Sequence, residues 1–116
     1  MSDSNINKFC LVLSNFPNQE SALKVAEMLL EQKLAACVNV LQACTSVYQW
    51  QGKLVREQES VMMIKTRSEL FGQLETVLLQ QHPYELPEII QVPIHNGHSA
   101  YLEWVSQQTQ ASPASC

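Results

Sequence analysis

The chain has 116 residues, the size of one domain that buries roughly two thirds of its unfolded-chain surface. Only 16% of the residues are charged, against about 25% in an average soluble domain, while 46% are hydrophobic, so part of the outside is set aside for self-association. A net charge of -4 with no Lys/Arg run excludes a phosphate footprint, and with it nucleic acid as a partner.

Met1 to Lys8 is a polar, flexible start, and the apolar run behind it, Phe9 to Leu13, is too short for a signal peptide or a membrane span. A cytoplasmic protein without a membrane partner is expected. Cys10, Cys37, Cys44 and Cys116 form no CxxC pair and no zinc spacing, which suits a reducing compartment. Cys10 and Cys37 read as small buried hydrophobes.

Phe9 to Ser14 predicts a first strand with Phe9, Leu11 and Leu13 on one face and Cys10, Val12 and Ser14 on the other. Asn18 caps a helix whose stripe is Ala22, Val25, Ala26, Leu29 and Leu30, ending near Lys33. Leu34 to Trp50 reads as a second strand, Gln51-Gly52-Lys53 as a reversal, and Leu54 to Lys65 as a third strand. Thr66 to Glu69 has capping-box spacing and opens a second helix with the stripe Leu70, Phe71, Leu74, Val77 and Leu78. That helix stops at His82, the residue before Pro83. A strand marked by Pro83, Pro87 and Pro93 runs to Ile94, and Ser99 caps a last turn or two carrying Tyr101, Leu102, Trp104 and Val105. Residues 9–110 thus make a single domain, and Ala111 to Cys116 a frayed tail.

The order β-α-β-β-α-β, with a short C-terminal helix, is an α+β fold of the ferredoxin-like, split βαβ kind. In that topology the fourth strand is an edge, which agrees with its prolines. At about 3.3 Å per residue the middle hairpin reaches roughly 40 to 50 Å, whereas the first strand spans roughly 20 Å, so the hairpin overhangs its own sheet. A ribbon bearing Val47, Tyr48, Trp50 and Leu54 needs another subunit against it, and an obligate oligomer is expected.

The mixture of His82, Tyr84, Glu85 and Glu88 among prolines marks the passage from helix to strand as a candidate site, with helix stop and edge strand as the plain alternative. His82 is either a helix-end cap or a metal ligand that suits Cu or Zn. Glu59 and Lys65 lie on one face of the third strand and flank a polar pocket, or are solvated strand ends. His95 and His98 form a weak H-x-x-H in a turn. No nucleophile elbow and no glycine-rich phosphate loop occurs, so an enzyme is not expected.

Leu34-Ala-Ala-Cys-Val-Asn39, Ser46-Val-Tyr-Gln-Trp-Gln-Gly-Lys53, Ile64-Lys-Thr66, His82-Pro-Tyr-Glu-Leu-Pro-Glu-Ile89 and Tyr101-Leu-Glu-Trp104, in this order, resemble the CutA divalent-cation-tolerance family over Phe9 to Val105. The resemblance implies a very stable homotrimer, similar in architecture to the PII signalling proteins, with the long hairpin pairing across subunits. It implies a role in the response to metal ions and, in some members, Cu(II) binding. Where such members carry a cysteine and a histidine, this chain has Ser14 and Gln81, so His82 alone remains as metal ligand and copper binding is expected to be weak. The other reading is a PII-like sensor of an organic anion, or an interaction trimer without metal chemistry. Its cleft candidates are Trp50, Glu59, Lys65, Tyr84, Glu88, Tyr101 and Trp104.

Overall fold

The computed structural model describes residues 8–110, and among them run four strands and three α-helices. They are β1 (Phe9–Phe16), α1 (Gln19–Glu31), β2 (Cys37–Trp50), β3 (Lys53–Arg67), α2 (Phe71–Gln81), β4 (Ile90–Ile94) and α3 (Ser99–Gln108). The strands form one antiparallel sheet in the order β2-β3-β1-β4, the ferredoxin-like α+β arrangement expected, with β4 on the edge. The polar start, apart from Lys8, and the tail with Cys116 lie outside the described residues.

Alternation along β1 decides which side becomes the core. Cys10, Val12, Ser14 and Phe16 are fully buried under α1 and α2, while every other residue of the strand is only half-buried. Leu29, Met62, Ile64, Leu74 and Leu78 complete the core from both helices and β3, each worth about 1.5–3 kcal/mol of apolar burial. Helix α1 begins as its sequence predicts: the Asn18 side chain accepts from the Ser21 N–H at 2.8 Å. It ends in a Schellman turn with Lys33 at φ 59, where Leu34 N donates to Leu29 O and Lys33 N to Leu30 O.

Several expected boundaries move. The Thr66–Glu69 capping box does not form, because Thr66 is still in the sheet opposite Cys10 and its hydroxyl donates to Leu34 O at 2.7 Å. Glu69 pairs instead with Arg67, and α2 is entered through a 3-10 turn, Ser68–Leu70. Strand β2 starts only at Cys37, since the residues before it finish the turn out of α1. Only five residues of the proline-marked segment pair as β4, because Pro83 and Pro87 offer no backbone donor. Ser99 is the first residue of α3 rather than its cap, and that helix runs for ten residues instead of a turn or two. Arg67 anchors its far end through Thr109, donating from Nε to Oγ1 at 2.8 Å and from a terminal nitrogen to the carbonyl at 2.9 Å.

The overhang is present. β1 stops pairing at Phe16–Ser60, whereas the β2–β3 ladder continues from Cys44–Glu59 to Trp50–Lys53. It accounts for a long axis of 48 Å against 33 and 22 Å in the other directions. Gln51 and Gly52, at φ 51 and 79, turn the tip as a two-residue hairpin loop of the primed type. A bulge sits where the overhang leaves the sheet: Gln42 and Ala43 together oppose Ser60, and Ala43 takes φ 62. Trp50 is 49% exposed and Leu54 71%. The sheet face turned away from α1 and α2 carries Leu11, Leu13, Leu41, Val61, Met63, Ile90 and Val92, of which Leu41, Ile90 and Val92 are exposed.

Candidate functional site at the end of β1

Pro83 stops α2 at Gln81 and turns the chain there, which brings His82 against the last residues of β1. Its ring stacks on Phe16 with centroids 4.2 Å apart at 24°. The Tyr84 backbone N–H donates to His82 Nδ1 at 3.1 Å, so Nδ1 is the unprotonated nitrogen, and in the neutral ring Nε2–H donates to Ser14 Oγ at 3.2 Å. Burial holds the imidazole below its ordinary pKa, and the backbone of Asn15 and the charge of Glu59 pull the other way. The histidine is therefore not a solvated helix-end cap. It is the neutral centre of a packed cluster.

From the same turn Tyr84 reaches the overhang. Its hydroxyl donates to Glu59 Oε2 at 2.7 Å, and Asn15 Nδ2 donates to Glu59 Oε1 at 3.2 Å. Glu59 is 7% exposed and forms no ion pair among the described residues. Burial first, then the bond to Glu59, push the Tyr84 phenol well above its ordinary range. The chain Ser14–His82–Tyr84–Glu59–Asn15 thus joins the end of β1, the α2 exit and the root of the hairpin. Beside it a shallow cavity of about 350 Å³ is lined by Pro17, Gln19, Gln42, Ala43, Gln58 and Glu59, among others.

The remaining candidates lie elsewhere in the subunit. Lys65 is six residues from Glu59 along β3, roughly 20 Å away, so the two flank no common pocket within one chain. Trp50 is at the hairpin tip, and Glu88 is exposed ahead of β4. Tyr101 and Trp104 face each other on α3 with ring centroids 5.5 Å apart, and Tyr101 shares with Lys65 an apolar cavity of about 230 Å³. Asn15 and Phe16, which complete the His82 cluster, carry no local signal that could have found them.

For a transition metal the donor set is thin. Among the described residues no group of three or more His, Cys, Asp or Glu gathers anywhere. Both His82 nitrogens are engaged, and Ser14 and Gln81 are not ligands such an ion selects. His95 and His98 are exposed. Cys10 is buried, which raises its thiol pKa, and Cys37 and Cys44 are half-buried and free.

A ferredoxin-like subunit with an overhanging hairpin and a His-Tyr-Glu cluster at its root is a small α+β protein of a recognisable kind. The family model described as CutA1 divalent ion tolerance protein matches residues 10–108, and the chain belongs to that family. It is 40% identical over 99 residues to the divalent-cation tolerance protein CutA of Thermus thermophilus, covering 85% of this chain and 96% of that one. Against protein CutA of Homo sapiens the identity is 42% over 95 residues, 82% of this chain but 53% of the relative, so the chain spans about half the length of the human protein. The crystal structure of CutA1 from Oryza sativa superposes with a TM-score of 0.87 at 37% identity, covering 94% of this chain and 100% of that one. None of these names describes an enzyme.

Proposed function

We propose that the chain acts without catalysis as a homotrimeric divalent-cation tolerance protein of the cytoplasm, taking part in the response to metal ions and contacting Cu(II) weakly through His82. The observation that carries the assembly is the overhang. Among the described residues the arms Cys44–Trp50 and Lys53–Glu59 pair only with each other, and a two-stranded ribbon alone is marginal in water. Its edges and the bare apolar sheet face need cover, which the hairpin of one copy supplies against the edge of the next. Such a head-to-tail contact forms a ring where its rotation closes, and the resemblance supports a ring of three. The metal role rests on family membership, and the single imidazole at the end of β1 supports weak binding only.

Light scattering combined with calorimetric Cu(II) titration of the metal-free protein tests both parts. A mass of three subunits is expected, with a dissociation constant of about 1 μM or weaker and loss of the signal in His82→Ala. A monomer mass, or a titration unchanged in His82→Ala, overturns the corresponding part. Trp50→Asp is expected to disrupt assembly and folding together, and a stable folded monomer contradicts the interface.

A further inference from the structure

The cavity of about 230 Å³ under α3 lies at the end of the sheet far from the hairpin, between Phe9 and Leu11 of β1, Ile94 of β4 and Tyr101 and Leu102 of α3. Only hydrocarbon faces into it, and Lys65 and Thr66 add carbon to the wall without polar surface. A hole of that kind stays dry and takes an apolar group. Apolar cavities of about 150 Å³ hold one benzene ring, and sites for drug-sized molecules begin at roughly 300 Å³, so this volume suits a two-ring side chain. One such side chain is bare at the other end of the molecule: Trp50, 49% exposed at the hairpin tip. Alternation along β3 puts Lys65, Met63, Val61 and Lys53 on one side, and Trp50 stands opposite Lys53, so the indole is carried on the same side as the sheet face that holds the cavity. Lys53 and Lys65 are twelve residues apart, roughly 40 Å along the strand, so no chain fills its own cavity with its own Trp50. Tyr48, on the same side of the ribbon, gives its hydroxyl to Glu57 of its own hairpin at 2.6 Å.

We propose that Trp50 of one copy inserts into the cavity under α3 of the next copy. A head-to-tail contact joins two different patches of the same chain, and the knob and the hole are two such patches at opposite ends of one face. Lys53 is the only charge from Val47 to Leu54, so the tip brings little that must stay in water. The six-membered edge of the indole enters first, which leaves its N–H at the mouth, where it meets water or a rim acceptor. Aromatic anchors seated in pockets carry most of the energy of an interface, and this one locks the tip of the hairpin where it lands. The inference rests on the assembly reading above and adds the place where the tip goes.

The test is fluorescence of Trp104→Phe, which leaves Trp50 as the one indole of the chain, with light scattering on the same samples. In the assembled protein acrylamide is expected to quench Trp50 several-fold less than it quenches N-acetyltryptophanamide, with the emission shifted to the blue. Leu11→Phe narrows the cavity without touching the hairpin and returns the quenching to that of an exposed indole. Leu102→Phe narrows it from the α3 side with the same result, and stands in if Leu11→Phe fails to fold. Trp50→Ala raises the dissociation constant of the assembly at least about thirtyfold, the loss of one interface anchor. A full assembly mass with Trp50 freely quenched overturns the insertion and leaves the assembly reading standing. A shielded Trp50 that neither cavity variant exposes also overturns it, because the indole is then buried elsewhere. A monomer mass overturns the insertion and the assembly reading together.

Discussion

Replacing Tyr84 by Phe removes one oxygen and leaves the ring, so it isolates the bond that ties the α2 exit to the hairpin. The Tyr84 hydroxyl donates to Glu59 Oε2 at 2.7 Å, and Glu59 is only 7% exposed, so water does not easily take the place of the lost donor. A hydrogen bond to a charged group contributes about 1.5–3 kcal/mol, and the cost is higher when the charge is left buried. The expected loss in Tyr84→Phe is about 2 kcal/mol, roughly 8–16 °C in Tm for a domain of about 100 residues. Guanidinium and thermal unfolding at one fixed subunit concentration measure it, because assembly shifts apparent stability. A cycle with Glu59→Gln sharpens the result: Tyr84→Phe costs about 1 kcal/mol less in that background, since the charge that made the bond strong is gone. A loss below about 0.5 kcal/mol, or two effects that simply add, refutes the view that Tyr84 and Glu59 act as a buried pair.

The pH dependence of stability follows from His82. Its folded pKa lies below the ordinary 6.5, so between the two values the unfolded chain binds a proton that the folded chain refuses. Stability is fully present above pH 6.5 and is lost as the pH falls below it towards the folded value, and the proton also displaces the Tyr84 N–H from Nδ1. Unfolding midpoints at several pH values are expected to fall more steeply below pH 6.5 for the wild type than for His82→Gln, and parallel curves contradict this. At the hairpin tip Gly52 has φ 79, a region where an added Cβ costs about 1–2 kcal/mol. Gly52→Ala therefore lowers the denaturation midpoint, and a change within about 0.3 kcal/mol means that the turn relaxes freely.

The extent of what the residues reveal by themselves depends on the range of the interaction. Strand alternation in β1, the apolar stripes of α1 and α2, the Asn18 cap and the helix stop before Pro83 are local, and each was legible because backbone geometry sets the period or the cap. The overhang was legible too, because it follows from comparing strand lengths. The Thr66 capping box misled for the opposite reason: its spacing is local, but Thr66 is held by the sheet opposite Cys10 and by Leu34, 32 residues away. Of the site, the sequence marked His82, Tyr84 and Glu59 as separate candidates, yet only the fold joined Tyr84 to Glu59, 25 residues apart, and His82 to Ser14, 68 apart. It likewise parted Lys65 from Glu59 and set it with Tyr101 under α3. Chain periodicity determines which face a side chain occupies. Which side chains meet depends on sheet register, on the bulge at Gln42 and Ala43 and on where α3 is anchored, all of which are long-range pairings.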